Sequence, residues 1–306
     1  MPKTLINKYQ KLITNEKGSA IVLVALAMTV FLGMVSLVTD TGLIFVSKAR
    51  LVNAVDAAVL AGAQELPHWP DTAAQVAENY ATVNGIENPT VEVIDEKRAL
   101  KVKGERTVNL LFARVLGFNT GIVTHEAVAK VGPIAAADGV VPLGIQEREF
   151  EFGVQYTLKV GAGESEHGWF GALALGGPGA STYEKNLTYG YSETISLGDI
   201  FNTETGNMSN PTKRAINYRI DGCKHSPYCT VSHFQRDCPR LIKVPIIKLL
   251  SGKKVEVVGF GVMLLDDVTG QGNECYVKGK FVQTILPGEI SGDEKNFGVW
   301  GVKLIQ

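Results

Sequence analysis

Residues 19–39 form a run of 21 residues without a charged side chain, close to the start of the chain. A helix of that length spans the roughly 30 Å hydrocarbon core of a bilayer, whereas the apolar region of a removable signal peptide is shorter, about 7–15 residues. The 18-residue leader before it contains Glu16 and the four lysines Lys3, Lys8, Lys11 and Lys17. The positive-inside rule therefore predicts a single-pass protein of the cytoplasmic membrane, with a cytoplasmic N-terminus and residues 40–306 outside the cytoplasm.

The composition limits what the larger, following part can be. A net charge of -1 and a pI near 6.5 provide no electrostatic basis for binding nucleic acid. With 33 glycines and 12 prolines among many short apolar runs, the chain is typical of a folded, turn-rich protein.

The helical pattern continues beyond the apolar run. No strong helix breaker follows until Pro67, and the apolar residues of this stretch fall on one arc at a period of 3.6 residues: Leu51, Val55, Val59, Gly62 and Leu66. The pattern predicts one helix over residues 19–66, half in lipid and half packed on a soluble domain.

Small residues make the outer half of this helix thin. Ala54, Ala58, Ala61 and Gly62 let a neighbouring surface approach the backbone closely. We expect them to pack against a partner helix.

The N-terminal region also carries a family resemblance. A charged residue, Asp40, follows the apolar run, Gly42 comes two residues later, and residues 53–63 read N-A-V-D-A-A-V-L-A-G-A. This arrangement resembles TadG-like and TadE-like proteins of the tight-adherence (Flp) pilus system, strongly at first and more weakly to about residue 132. The resemblance implies a membrane-anchored pilus-assembly protein without enzymatic activity, whose partners are other pilus-assembly or pilin-like subunits.

Two departures from related patterns matter. Pseudopilins are processed after a glycine and carry a glutamate at the fifth mature position. Cleavage after Gly18 would make Ser19 the first mature residue, but the fifth would then be Leu23. We therefore expect the leader to be retained, and cleavage after Gly18 is the alternative. Longer TadG proteins often contain a von Willebrand type A domain, whose metal motif Asp-x-Ser-x-Ser does not occur in this sequence.

The remaining pattern predicts an α+β protein with a pilin-like extracytoplasmic module (residues 40–132) and a mainly β sandwich or barrel (residues 140–306). In the module we expect a helix over residues 72–83, a hairpin from strands 91–94 and 99–102, a short helix over 107–116 and a closing strand. In the outer domain, residues 150–160 alternate as a half-buried strand, and residues 243–250 and 255–265 predict a hairpin. Residues 165–240 are predicted to be a long irregular insertion, and Asp266 and Asp267 to be a solvated strand end.

The insertion contains the residues with the most chemistry. Cys223, Cys229 and Cys238 are clustered, and Cys275 is the only other cysteine. Outside the cytoplasm, four cysteines favour two disulfides, with three possible pairings. The alternative is a metal site formed by Cys223, His225, Cys229, His233 and Cys238, although the spacing C-x-H-x3-C-x3-H-x4-C fits no familiar zinc module.

Taken together, the pattern and the resemblance predict a non-enzymatic structural protein, without a cofactor, that assembles, anchors or stabilises an Flp-type pilus or a related envelope structure. Its partners would be the lipid bilayer, pilus subunits, and the cell wall or a surface glycan. Two alternatives remain: a filament subunit processed after Gly18, and an extracytoplasmic carbohydrate-binding or hydrolytic module.

Overall fold

The fold is α+β, with a long N-terminal apolar helix followed by mainly β structure. It is seen in a computed structural model, which describes residues 16–66, 68–160, 170–270, 275–286, 289–292 and 295–305. Most of the predicted leader, residues 1–15, lies outside these ranges. The chain forms two compact units: the first contains residues up to 61, 74–92 and 101–128, and the second contains residues 62–73, 93–100 and 129–306.

The described helices are α1 (Glu16–Ala63), α2 (Pro70–Val83), α3 (Ala180–Tyr189) and α4 (Ser209–Gly222), with a 3-10 helix at Ala113–Leu116. The first strands are β1 (Thr90–Ile94), β2 (Ala99–Asn109), β3 (Thr120–Pro133), β4 (Ala136–Ala137), β5 (Leu143–Gln146), β6 (Gln155–Val160) and β7 (Phe170–Ala172). The later strands are β8 (Ile195–Ser196), β9 (Ile200–Asn202), β10 (Leu241–Leu249), β11 (Lys254–Thr269), β12 (Cys275–Val282), β13 (Thr284–Ile285) and β14 (Val299–Ile305).

The predicted long helix is confirmed, since α1 runs for 48 residues without interruption. It is the one described helix that is long and apolar enough to cross a membrane. Apolar side chains near the end of the uncharged run point away from the protein, with Leu37 70% and Val38 73% exposed. From Leu51 onward one face of the helix is buried instead, with Leu51, Val55 and Val59 fully covered. The same helix therefore presents an apolar surface outward first and inward later.

In the first unit, the outer half of α1 has a buried face that contacts Gly104 of β2 through Val55 and His125 of β3 through Asp56. Leu51, Val55 and Val59 are fully buried, as the 3.6-residue pattern predicted. Gly104 permits this close packing, because a Cβ atom there would lie 3.0 Å from the Ile86 side chain and 3.1 Å from that of Val55.

Strands β1, β2 and β3 are successive neighbours in their sheet. The predicted hairpin is present, but β2 continues to Asn109. The helix predicted over residues 107–116 is therefore wrong in its first part, and only the 3-10 turn at Ala113–Leu116 remains. The alternation of Val108 with polar neighbours, buried against exposed, accounts for the strand.

The second unit is built on a curled sheet with the strand order β6-β12-β11-β10-β5-β7, in which β9 also pairs with β11. The predicted hairpin is confirmed as β10 and β11, which pair from Leu241 with Leu264 to Leu249 with Val255. Helix α4 packs on β11 and against α3. Buried apolar residues of this unit form two clusters, one that contains Val244 of β10 and another that contains Val257 of β11.

Two predictions for this unit are wrong. The described part of the supposedly irregular insertion contains α3 and α4, whose apolar faces are short: Tyr183 and Leu187 in one, Ala215 and Ile216 in the other. Such faces, flanked by glycine and asparagine, give too weak a period to recognise. The strand predicted over residues 150–160 begins only at Gln155.

Gly190 lies close to the backbone of Gly139, and a substitution there tests how tightly the second unit is packed. Its φ is +88°, and a Cβ atom there would lie 2.7 Å from the carbonyl oxygen of Gly139. We expect Gly190→Ala to lower the free energy of unfolding of the second unit by about 3 kcal/mol or more, because backbone strain and a clash with main-chain atoms add together. Denaturant unfolding of the full chain in detergent measures this.

Gly198→Ala is the matched control. Gly198 has nearly the same φ, +86°, but no atom lies within 4 Å of its would-be Cβ. Gly198→Ala should therefore lower the free energy of unfolding through backbone strain alone, by about 1–2 kcal/mol. Equal losses in the two variants would contradict the close approach at Gly139.

Candidate functional site

Asp40 lies at the end of the apolar run, and its carboxylate binds the backbone of the first unit. Oδ1 accepts a hydrogen bond from the N–H of Leu111 at 2.8 Å, and Oδ2 accepts bonds from Phe112 at 3.1 Å and Ala113 at 2.6 Å. These donors stand at the start of the 3-10 helix, where backbone N–H groups have no partner within the helix. Only 7% of Asp40 is exposed. The residue that the sequence identified as charged and membrane-adjacent therefore joins α1 to the β2–β3 connection.

The small residues of α1 are in contact with the protein itself. Ala54 and Ala58 are buried in the first unit and Ala61 is half-buried, while Gly62 is buried in the second. Their packing against a partner helix stays a prediction. Gly18 and Ser19 lie within the first turn of α1, and cleavage between them also stays a prediction.

The cysteine cluster lies in the second unit, between α4 and β10. Cys223 directly follows α4, and its N–H donates to the carbonyl oxygen of Ile220 at 3.2 Å. At the other end, Cys238 accepts a hydrogen bond from the N–H of Leu241, the first residue of β10, at 2.9 Å. The loop of residues 223–240 thus begins and ends on regular structure.

Three of the four cysteines meet one histidine. The Sγ atoms of Cys223, Cys229 and Cys238 and a ring nitrogen of His225 all lie within 4.8 Å of one another. Nδ1 of His225 is 3.4 Å from the Cys229 Sγ and 3.7 Å from the Cys223 Sγ. The Cys223 and Cys238 sulfurs are 3.6 Å apart.

The other two candidates are placed elsewhere. Cys275 packs in the core cluster that contains Val244, with its Sγ 3.8 Å from the carbonyl oxygen of Ser209. His233 is not in the group of four, so the structure brings together four of the five ligands that the sequence suggested as an alternative. All four cysteines are reduced in the structure. Two disulfides are not seen, and the pairing of cysteines stays a prediction.

The thiols of Cys223 and Cys238 differ in acidity. Burial acts to raise the pKa of Cys223, but hydrogen bonds to its sulfur from the backbone and side chain of His225, from Cys238 and from the backbone of Cys229 lower the pKa overall. Burial raises the pKa of Cys238. The arrangement therefore favours a thiolate at Cys223 that accepts a hydrogen bond from the Cys238 thiol.

Arg240 holds this loop against the sheet. Its buried guanidinium donates to the carbonyl oxygens of Cys229 at 2.8 Å and Leu265 at 2.7 Å, and lies 3.2 Å from Oδ1 of Asp266. It also lies over the ring of Tyr228, 4.3 Å from the centroid. One side chain thus satisfies the backbone of the loop and of β11.

Asp266 is placed for this contact by an irregularity in the pairing of β11 with β12. Leu265 pairs with Gly279 and Asp267 with Lys278, so Asp266 is the extra residue of a bulge. Its interpretation as a solvated strand end is wrong, because β11 continues to Thr269. Neither Arg240 nor Asp266 belongs to a recognisable motif, so the sequence gives no sign of Arg240's role or of its contact with Asp266.

The same loop forms one wall of a cleft of about 550 Å³ within the second unit. Loop residues that line it include Val231, His233, Phe234 and Arg236. Aromatic rings meet at the cleft, since His68 packs edge-on against Trp69 and Trp300, with centroids 5.8 and 6.5 Å apart. Burial lowers the pKa of His68, which favours its neutral form. Among the described lining residues, Glu65 is the one carboxylate.

Replacing Asp40 tests its role. Asp40→Ala removes the acceptor for three backbone N–H groups, and we expect hydrogen exchange at residues 111–113 to become at least about tenfold faster. Thr41→Ala, at the exposed neighbouring position, is the control and should leave these amides unchanged. Hydrogen-exchange mass spectrometry of the full chain in nanodiscs measures both. Equal protection in the Asp40 variant and the parent would contradict the contact.

Replacing Arg240 tests the support of the cysteine loop. Arg240→Met leaves two buried carbonyl groups and Asp266 without their donor, so we expect a loss of about 2–4 kcal/mol in unfolding free energy. Lys280→Met is the matched control, because Lys280 also approaches Asp266, at 3.8 Å, but in a partly exposed pair. Its loss should stay below about 1 kcal/mol. Denaturant titration distinguishes the two, and similar losses would refute the buried clamp.

Comparison with known proteins identifies the N-terminal segment alone. Residues 18–65 match the family described as putative Flp pilus-assembly TadE/G-like. No curated protein and no solved structure matches the chain. The matched segment covers the apolar run of α1, Asp40 and the outer half of the helix, so it is residues 18–65 that are similar to the putative Flp pilus-assembly TadE/G-like family.

Proposed function

We propose that this protein is a structural component of an Flp-type pilus system, retained in the cytoplasmic membrane by α1, with its bulk outside the cytoplasm. The single observation that carries the proposal is the TadE/G-like segment at residues 18–65, which coincides with a helix long and apolar enough to cross a membrane. Assembly, anchoring or stabilisation of the pilus is the role that this combination supports best.

The contacts of α1 support a mechanical rather than a catalytic role. The helix continues from the apolar run into the core of the first unit without a break, and Asp40 ties it to the backbone of residues 111–113. A continuous helix transmits displacement along its axis better than a flexible linker does. The first unit is therefore suited to hold a partner subunit at a defined distance from the bilayer.

The hydrolytic alternative lacks a matching site in the cleft. Glycoside hydrolysis uses two carboxylates on either side of the scissile bond, whereas the described lining residues include Glu65 alone. We therefore propose that the second unit binds other components of the envelope, such as pilus subunits or wall glycan, and does not hydrolyse them.

Piliation of the source cell tests the proposal. We expect a strain without the protein to lose surface pili, the full chain to restore them, and a chain lacking residues 140–306 to fail. Electron microscopy and the yield of sheared pilin measure this, with immunoblots of membranes to show that each chain is present. Normal pili in the strain without the protein would overturn the assembly role.

N-terminal sequencing of the recovered protein separates an assembly factor from a filament subunit. A chain that begins at Met1 or Pro2 and occurs only in membranes supports the retained component. A chain that begins at Ser19 in the sheared fraction would show that the protein is a filament subunit processed after Gly18.

A further inference from the structure

We propose that Cys223, His225, Cys229 and Cys238 bind one zinc ion in a closed, structural site. This inference concerns the second unit alone and does not depend on the pilus role. The four donor atoms converge on one point, each within 4.8 Å of the others. Three thiols and one imidazole are a ligand set that zinc takes in structural sites.

The distances between donors fit a tetrahedral ion. Zinc lies about 2.3 Å from sulfur and about 2.0–2.1 Å from nitrogen, so tetrahedral geometry places two sulfurs about 3.8 Å apart and a sulfur and a nitrogen about 3.6 Å apart. The observed separations are 3.6 Å between the Cys223 and Cys238 sulfurs, and 3.4 and 3.7 Å from His225 Nδ1 to the sulfurs of Cys229 and Cys223. The other three pairs of donor atoms lie within 4.8 Å of one another, so only a small contraction of the site is needed to receive the ion.

The surroundings orient the ligands in the way that zinc sites require. Nδ1 of His225 faces the sulfurs, while its Nε2 lies 3.5 Å from Oδ1 of Asp237, a carboxylate that would hold the proton on Nε2 when Nδ1 binds the metal. The backbone N–H of Gln235 points at the Cys229 sulfur at 3.5 Å. Arg240 fixes the carbonyl oxygen of Cys229.

A disulfide explains these positions less completely. It joins two sulfurs at about 2.05 Å and has no role for a third sulfur or an imidazole. Here the third thiol and His225 lie at the same point, and Cys275, the remaining cysteine, packs in a different core cluster. One ion accounts for all four convergent side chains.

Binding has a simple balance and a structural consequence. Zn²⁺ displaces the proton of each bound thiol, so ion and ligands together carry a charge of −1, and no oxidant or reductant is needed. With four protein ligands the ion has no open position, which excludes a catalytic role for the site. The ion would join the end of α4 to the start of β10 and fix the loop that supplies Val231, Phe234 and Arg236 to the cleft wall.

Metal analysis of the full chain tests the proposal. The protein is purified in detergent under reducing conditions, incubated with zinc chloride and freed of excess metal by gel filtration. We expect about one zinc per chain by elemental mass spectrometry. In place of zinc, Co²⁺ should give the thiolate charge-transfer band and the intense visible bands of tetrahedral cobalt.

Matched variants locate the ion. Cys229→Ser and His225→Ala should lose zinc, whereas Cys275→Ser and His233→Ala should keep it. His225→Cys should also keep it, as a site with four cysteines, which separates loss of a ligand from loss of the fold. A reconstituted parent chain without zinc, an intact mass about 2 Da low under non-reducing conditions together with absent metal, or zinc retained in Cys229→Ser would each overturn the proposal.

Discussion

Helix α1 passes without interruption from an apolar run suited to lipid into a protein core, and the first unit is built on it. In lipid every backbone N–H and C=O must be bonded within the helix, so the apolar run of α1 cannot break. Beyond that run the same helix buries Leu51, Val55 and Val59 in a protein core. Asp40 lies between the apolar run and the buried part of α1, and its carboxylate accepts hydrogen bonds from three backbone N–H groups. A carboxylate at such a position is costly unless it is bonded in this way.

The second unit depends on hydrogen bonds from buried arginine side chains to the backbone of a long loop. The loop of residues 223–240 is long and irregular, and its backbone groups need partners away from the sheet ladder. Arg240 supplies several of them at once, while the bulge at Asp266 provides its counter-charge. Arg219 acts similarly between α3 and the loop, donating to the carbonyl oxygens of Leu187 and Pro239, and its burial lowers its pKa to about 10.

The N-terminal helix and the loop of the second unit serve different parts of the molecule. Residues 18–65 are similar to the TadE/G-like family and coincide with the helix that is long and apolar enough to cross a membrane. The second unit displays a cleft whose wall is the loop held by Arg240 and by the cluster of Cys223, His225, Cys229 and Cys238. A rigid wall made from a loop is typical of recognition surfaces, because the loop carries variable side chains while its supports hold it still.

Local sequence patterns account for several features of this protein. The membrane-crossing helix, the burial of its outer face, the β10–β11 hairpin and the TadE/G-like segment were all predicted from periodicity and short motifs, because helix and strand formation depend on near neighbours. For the metal alternative at the cysteine cluster, the sequence supplied only five candidate ligands close together along the chain, of which the structure groups four, without His233. Other features come from the fold: Cys275 lies apart, and His225 meets three cysteines. Arg240 and Asp266 support their loop, and Asp40 binds residues 111–113. Each of these contacts joins residues that the fold brings together, and neither periodicity nor spacing along the chain records such long-range proximity.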